Sequence, residues 1–158
     1  MPAQTPKKET PSGSTLTLVG FFLGQEEYAL DILKIREIRP MMEITTVPKA
    51  PDFVEGVINL RGDIVPIINL RAKLSLPEAE HTEESKVIVV EFDNRLIGIV
   101  VDEVSEVIEI PEERVSPPPA IIGGVEAEFL KGVGKLGDRL LILLDLDKIL
   151  TEKEKKML

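Results

Sequence analysis

The sequence predicts a mainly β protein with two pseudo-repeated, five-stranded barrel lobes and a short C-terminal helix. Its 158 residues are 43% apolar but only 4% aromatic, so the core must rest on valine, isoleucine and leucine, and branched residues favour strands. The apolar residues come in short stretches separated by turn residues, as in an all-β domain. The chain also matches itself twice in the same order, which indicates two related lobes.

The elements follow from local patterns. Residues 1–14 contain three prolines, a glycine and several small polar residues, so we expect a disordered tail there and a single domain over residues 15–158. Two hairpins are predicted where apolar stretches flank polar turns: LTLVGFFL with YALDI, and KVIVVEF with RLIGIVVDEV. Short helices are predicted after Asp31, after Asn69 and from about Asp145, because these side chains can cap free backbone amides. Further strands are expected near residues 56–60, 64–68, 132–136 and 140–144.

The two internal matches define the lobes. Leu16–Pro40 aligns with Val87–Pro111, and Phe53–Leu74 aligns without a gap with Phe129–Leu150. The approximate lobes are therefore residues 16–83 and 84–150, and the pattern leaves open whether strands cross between them. About five short strands in each lobe would hide their edges most easily by closing into a small SH3-like barrel. The alternative is one β-sandwich whose strands merely look alike.

Charge and composition argue against several classes of function. The formal net charge of −9 would repel phosphate backbones and anionic membranes. One tyrosine and no tryptophan leave few platforms for stacking bases, so an oligonucleotide-binding barrel is the less favoured alternative. Without cysteine there is neither a disulfide nor a thiolate metal site. The sequence shows no signal-peptide pattern and no long apolar run, which indicates a soluble cytoplasmic protein.

The sequence contains no recognisable reaction centre. The single histidine, His81, lies in the charged stretch PEAEHTEES, which is typical of a surface loop. Asp145 and Asp147 are explained by helix capping, and no pattern of a phosphate loop or a calcium loop is present. We therefore expect no catalysis, no cofactor and no metal, and a hydrolase is disfavoured. The evidence for function must come from surfaces that bind partners.

One such surface is indicated by the stretch FVEGVINLRGDIVPIINL, where Arg61 and Gly62 separate two apolar strands. An unpaired guanidinium is costly to bury, so Arg61 should lie at the lip of a lobe, either paired with an acid or facing a partner. The repeat places Gly137 opposite Arg61, so barrel geometry does not demand an arginine there. The alternative is a salt bridge to Glu37 or Glu55 that only ties strands together.

Two further segments combine apolar and charged residues. Ile32, Ile35 and Ile38 recur at every third position among charged residues, more than a short helical turn can bury. An exposed apolar strip edged by charge suits a transient interface, although core packing is the commoner explanation. The segment 102–113 carries six acids and no base, interleaved with residues such as Val107, and could be a solvated face or meet a basic partner.

Four stretches together resemble the CheW family of bacterial chemotaxis coupling proteins: GQEEYALDILKIREI, FVEGVINLRGDIVPIINLR, RLIGIVVDEVSEV and LKGVGKLGDRLLILLDLDKIL. The same fold unit resembles the regulatory domain of the histidine kinase CheA. The resemblance implies a single CheW-like domain, monomeric in isolation, that couples methyl-accepting chemoreceptors to CheA without catalysis at membrane-associated arrays. A similar scaffold in a non-motility chemosensory array is the alternative.

The resemblance also implies a set of site residues. Arg61 and Glu37 would be a charged pair associated with receptor coupling and kinase control. The receptor tip, a helical hairpin, would dock between the lobes, and the kinase would contact the barrel ends. The implied partner-binding residues are Ile35, Glu37, Ile38, Gly56, Asn59, Leu60, Arg61, Gly62, Val104 and Val107.

Overall fold

Short strands dominate the structure, a computed structural model that describes residues 14–158. The disordered tail expected at residues 1–14 lies outside the described residues except for Ser14. The strands are β1 (Thr15–Leu23), β2 (Glu26–Asp31), β3 (Ile35–Pro40), β4 (Val54–Leu60), β5 (Asp63–Ile68), β6 (Lys86–Phe92), β7 (Arg95–Val101), β8 (Glu103–Pro111), β9 (Val115–Ser116), β10 (Ile121–Ile122), β11 (Val125–Glu126), β12 (Leu130–Leu136) and β13 (Arg139–Leu144). The predicted mainly β class is confirmed.

Helices are limited to single turns in the described residues. They are α1 (Leu70–Lys73), α2 (Leu146–Ile149) and α3 (Glu152–Lys155), with 3-10 turns at Ile32–Lys34, Glu112–Arg114 and Ala127–Phe129. The side chains of Asn69 and Asp145 cap α1 and α2, as the sequence predicts, and Thr151 forms a capping box with Glu154 at α3.

The strands form two main sheets. One has the order β8-β1-β2-β13-β12-β9, and the other has the order β3-β6-β7-β5-β4. The five-stranded sheet lies within residues 35–101, whereas the six-stranded sheet joins β1 and β2 to strands from the C-terminal part. The sheets therefore do not coincide with the predicted boundaries of residues 16–83 and 84–150, because hairpins pair with strands that are distant in sequence.

The internal repeat nevertheless relates the two sheets strand by strand. Under the two sequence matches, β1, β2, β8, β12 and β13 correspond to β6, β7, β3, β4 and β5, and both sheets then have the same order. Each lobe combines a hairpin from one repeat with three strands from the other, so β3 follows β2 along the chain but pairs with β6. Neither repeat can complete a barrel without the other.

Within residues 14–158 the core is divided among three apolar clusters. The largest includes Phe21, Tyr28, Ile88 and Ile142 and draws on both sheets, so we call it the interlobe core. The second cluster contains residues of the six-stranded sheet only, and the third contains residues of β4, β5 and β6, including Val87. Val87 and Ile88 are neighbours in β6 but belong to different clusters, because successive side chains leave a strand on opposite faces. Burial on both faces explains unbroken apolar runs such as VIVV.

The strands β3 and β8 are exchanged, because each pairs with the hairpin of the other repeat. The segment that follows each exchanged strand closes the barrel. In the five-stranded lobe, Thr45 and Val57 exchange backbone hydrogen bonds of 2.8 Å. In the other lobe, Ser116 of β9 lies opposite Val133 of β12 at the equivalent place. Closure hides the open edges that short sheets otherwise expose to other chains. This agrees with the predicted barrel-like lobes.

Candidate partner-binding site

Arg61 occupies a backbone conformation that is unusual for a side-chain-bearing residue. It forms the turn between β4 and β5 together with Gly62, and their φ angles are 52° and 93°. Positive φ is easy for glycine but disfavoured for other residues. The equivalent turn of the other lobe has Gly137 in the place of Arg61, with φ 58°. The fold would thus accept glycine at position 61, and the arginine is held there against a backbone preference.

The Arg61 side chain forms a bidentate ion pair with Glu37 of β3. The Nη2–Oε2 distance is 2.6 Å and the Nη1–Oε1 distance is 3.3 Å. Hydrogen bonds from Arg61 lower the pKa of Glu37, and those to Glu37 raise the pKa of Arg61, so both groups stay charged. The Arg61 side chain remains 65% exposed, whereas Glu37 is 26% exposed. The predicted pairing with Glu37 is present, and Glu55 instead contacts His81 at 2.7 Å.

Three neighbours of Arg61 in the predicted site support the turn and the barrel. Asn59 accepts a hydrogen bond of 2.9 Å from the Gly62 amide and thereby holds the turn. Leu60 is 2% exposed and belongs to the apolar cluster of the five-stranded lobe. Gly56 is buried where the barrel closes, and a Cβ placed on it would lie 2.4 Å from the Thr45 carbonyl oxygen. Leu60 and Gly56 therefore present no side chain to a partner in this structure.

The helical turn predicted after Asp31 is a 3-10 turn that the Asp31 side chain caps, and the segment containing Ile35 and Ile38 follows it as a strand. The 3-10 turn ends at Lys34, and β3 carries a β-bulge at Arg36. Ile35 lies opposite Val90 and Ile38 lies opposite Ile88, and both of these partners belong to the interlobe core. Residues three apart normally point to opposite faces of a strand, and the extra residue of the bulge places them on the same face.

A second β-bulge produces the same arrangement in β8. Val104 lies opposite Phe21 and Val107 opposite Val19, so two residues of β8 face the single residue Gly20 of β1. Val104 packs against the interlobe core, as Ile35 does, while Val107 is 59% exposed. Both exchanged edge strands therefore place one anchored and one exposed apolar residue on the face that looks toward the other lobe.

We name Ile35, Ile38, Val104 and Val107 the interlobe strip. It contains the apolar members of the predicted site whose side chains can reach a partner. Glu37 lies opposite Val89, which belongs to the inner cluster of its lobe, so the charged pair uses the other face of β3. The site thus has an apolar part and a charged part that meet along the β3 edge.

Sequence reasoning overlooked Leu33. This residue lies in the 3-10 turn between β2 and β3, and its side chain is 86% exposed, the largest value among the exposed large apolar residues of the described chain. The internal match places Leu33 opposite Val104. That correspondence was the available signal, since Val104 was already among the candidates.

Residues 14–158 contain no group of three or more His, Cys, Asp or Glu side chains placed to hold a metal ion. His81 lies on an exposed loop, as its charged surroundings predicted. In the same part of the chain, no helix has the length and apolar character needed to cross a membrane.

Comparison with known proteins identifies the family of this architecture. The family model described as a CheW-like domain matches residues 17–154. The chain is 46% identical over 134 residues to the chemotaxis protein CheW of Klebsiella aerogenes, covering 85% of this chain and 81% of the relative. It is 38% identical over 141 residues to CheW of Treponema pallidum, covering 87% and 83%. Among solved structures, the scaffolding protein TtCheW of Thermoanaerobacter tengcongensis superposes with a TM-score of 0.80 at 34% identity, covering 87% of this chain and 89% of that protein.

Proposed function

The chain belongs to the CheW family, and we propose that it couples methyl-accepting chemoreceptors to the histidine kinase CheA as a non-catalytic adaptor. A chemotaxis coupling adaptor needs two separate partner surfaces rather than a reaction centre. The single observation that carries the assignment to surfaces is that β3 and β8 each contain a β-bulge and each carry an exposed apolar side chain beside it.

The interlobe strip is the proposed receptor surface. A receptor tip built as a helical hairpin offers an apolar face that fits between two lobes, in the helix-in-groove manner. Val107 and Ile38 are exposed at 59% and 39%, and they are available for contact without rearrangement of the core. Ile35 and Val104 pack against the interlobe core and give the strip a rigid base. Such a preformed surface reduces the entropy lost on binding.

The ion pair of Arg61 and Glu37 is the proposed control element. Its geometry is two-pronged and its arginine is largely exposed, so a partner could compete for either charged group. A glycine occupies the equivalent turn position of the other lobe, which argues for a role of Arg61 beyond barrel geometry. We propose that receptor-dependent regulation of the kinase acts through this pair, as a coupling free energy between two partners.

The kinase surface is proposed at the barrel ends. The regulatory domain of CheA resembles this fold, and two related two-lobed domains can pair one lobe of each with the opposite lobe of the other. Repetition of such head-to-tail contacts closes rings when the rotation allows it. The adaptor would work in the cytoplasm and be recruited to receptor arrays through its partners.

The experiment that tests this function is a pair of titrations with purified fragments, one being the CheA regulatory domain and the other a receptor signalling-tip hairpin. The variants are Val107→Asp and the matched control Ile121→Asp, because their side chains are similarly exposed at 59% and 63% but lie on different surfaces. Val107→Asp is expected to weaken receptor binding by at least about tenfold, because an apolar contact is lost and the new carboxylate must be desolvated in the interface.

The kinase arm and the control complete the test. Val107→Asp should leave binding to the CheA domain unchanged, and Ile121→Asp should change neither arm. Failure of the unmodified protein to bind either fragment would refute the adaptor role. Equal loss with Val107→Asp and Ile121→Asp would show that the interlobe strip is not the receptor surface.

A further inference from the structure

Glu27 of β2 is an acidic residue buried at the edge of the six-stranded lobe. Only 8% of it is exposed, and a buried carboxylate is costly unless donors surround it. Its Oε2 accepts hydrogen bonds of 2.7 Å from Ser105 Oγ and 2.7 Å from Arg139 Nη2, and its Oε1 accepts one of 3.3 Å from Arg139 Nε. Three strands, β2, β8 and β13, are thereby joined at one point by side chains.

This point coincides with the bulge of β8. Ser105 and Glu106 are the two residues that lie between the pairs Val104–Phe21 and Val107–Val19. Ser105 donates to Glu27, and Glu106 accepts from Arg139 Nη1, so both residues of the bulge are held by side-chain hydrogen bonds.

Gly20 leaves the space that these hydrogen bonds require. It is the single β1 residue opposite the bulge. A Cβ placed on Gly20 would lie 2.4 Å from Ser105 Oγ and 2.9 Å from Glu27 Oε2, both too close for real contacts. Glycine at position 20 therefore allows Ser105 and Glu27 to lie close to the β1 backbone, as the bulge requires.

The other barrel is built without such a cluster. The internal match places Asp63 at the position of Arg139 and Gly98 at the position of Glu27. The bulge residue of β3, Arg36, pairs with Glu91 at 2.8 Å, and both side chains are about half exposed. Because an equivalent barrel forms without it, the cluster is not a requirement of the fold.

We infer that Glu27, Ser105 and Arg139 are positioning residues that fix the bulge of β8 and so orient Val107 for receptor docking. The inference rests on the proposed function and names the residues that prepare one half of its receptor surface. A bulge that moved to the C-terminal side of Val107 would turn this side chain to the opposite face of the strand, because side chains alternate with a period of two. The cluster prevents this movement by bonding Ser105 to Glu27 of β2 and Glu106 to Arg139 of β13.

The test uses Ser105→Ala, which removes one hydroxyl and adds no bulk, in titrations with the receptor-tip hairpin and the CheA regulatory domain. Ser85→Ala is the matched control, because the Ser85 hydroxyl is also hydrogen-bonded but lies in the loop before β6, where Ser85 is buried. Ser105→Ala is expected to weaken receptor-tip binding several-fold and to leave the kinase arm unchanged, whereas Ser85→Ala should change neither arm at temperatures well below unfolding.

A double-mutant cycle with Val107→Ala separates positioning from general destabilisation. If Ser105 acts through Val107, then Val107→Ala costs much less affinity in the Ser105→Ala background than in the unmodified protein. Additive losses, or equal losses in both arms, would overturn the inference. Arg139→Lys serves as a second variant, since it keeps the charge but loses the two-pronged geometry, and it should resemble Ser105→Ala.

Failure of the inference differs from failure of the proposed function. If the unmodified protein binds the tip and Val107→Asp weakens binding while Ser105→Ala and Arg139→Lys do not, only the positioning role is wrong. If the unmodified protein does not bind the tip at all, the receptor surface and the positioning role fall together.

Discussion

Replacement of Gly56 by alanine tests whether this residue closes the barrel or touches a partner. A Cβ at position 56 would lie 2.4 Å from the Thr45 carbonyl oxygen and 2.7 Å from a methyl group of Ile44. The oxygen belongs to backbone that is bonded to Val57, so it cannot simply rotate away. Overpacking of this kind costs about 2–3 kcal/mol. For a chain of this size the melting temperature should fall by about 4–12 °C.

The assay is thermal unfolding followed by circular dichroism, with two comparison variants. Gly132→Ala should behave in the same way, because the equivalent Cβ would lie 2.7 Å from the Ser116 carbonyl oxygen. Ile64→Ala alters a side chain that is 63% exposed on the same hairpin, and its unfolding free energy should stay within about 0.5 kcal/mol of the unmodified value. A Gly56→Ala variant that melts normally but no longer binds a partner would refute this reasoning and make Gly56 a contact residue.

Three further predictions concern the turn, the strand exchange and acid stability. Arg61→Gly should melt no lower than the unmodified protein, since glycine tolerates the φ of 52°, and should still lose receptor control of the kinase; a clear drop in melting temperature would favour the strand-tying role. Fragments divided between Ala79 and Glu80 should be unfolded when separate and should fold on mixing, because each repeat contributes strands to both sheets. A folded circular dichroism spectrum from either fragment alone would contradict this. Burial raises the pKa of Glu154, but hydrogen bonds from Lys73 and Thr151 lower it more, so the net shift is downward from 4.5 and Glu154 stabilises the fold at neutral pH. That contribution should be lost as the pH falls through the folded-state pKa. In urea unfolding, the free energy of unfolding should therefore fall less between pH 7 and pH 3 for Lys73→Met than for the unmodified protein.

The local elements could be predicted from the sequence because their signals are local. The β6–β7 hairpin is an example, since Asp93 and Asn94 supply the two positive φ angles, 51° and 63°, that a tight two-residue turn needs. The caps at Asn69 and Asp145 follow from the same kind of short-range chemistry. The internal repeat was also readable, and the five corresponding strands follow the same order in both sheets.

The remaining features depend on contacts between distant parts of the chain. The exchange of β3 and β8 between lobes leaves no local pattern, so the sequence left open whether strands cross between the lobes. The bulge at Arg36 gives Ile35 and Ile38 a spacing of three, so the sequence alone does not show that both lie on one face of a strand. Arg139 and Glu27 are separated by 112 positions and have no counterparts in the repeat, so nothing in the sequence linked them.

The candidate site shows the same division. The pairing of Arg61 with Glu37 was anticipated from the charge of the turn and from family resemblance, and the structure contains it. Family resemblance also supplied Leu60, whose burial in the lobe core only the folded structure reveals. Exposure is a property of the folded chain. The sequence alone therefore cannot distinguish residues that touch a partner from buried residues that hold them in place.

The most direct test of the coupling role is kinase activity in a reconstituted mixture of receptor-containing vesicles, CheA and this protein. We expect CheA autophosphorylation to depend on adding the protein and to respond to receptor ligand. Arg61→Ala should remove this response while the variant remains folded and still binds the CheA regulatory domain. Kinase activity that is independent of the protein, or a full ligand response with Arg61→Ala, would contradict the account.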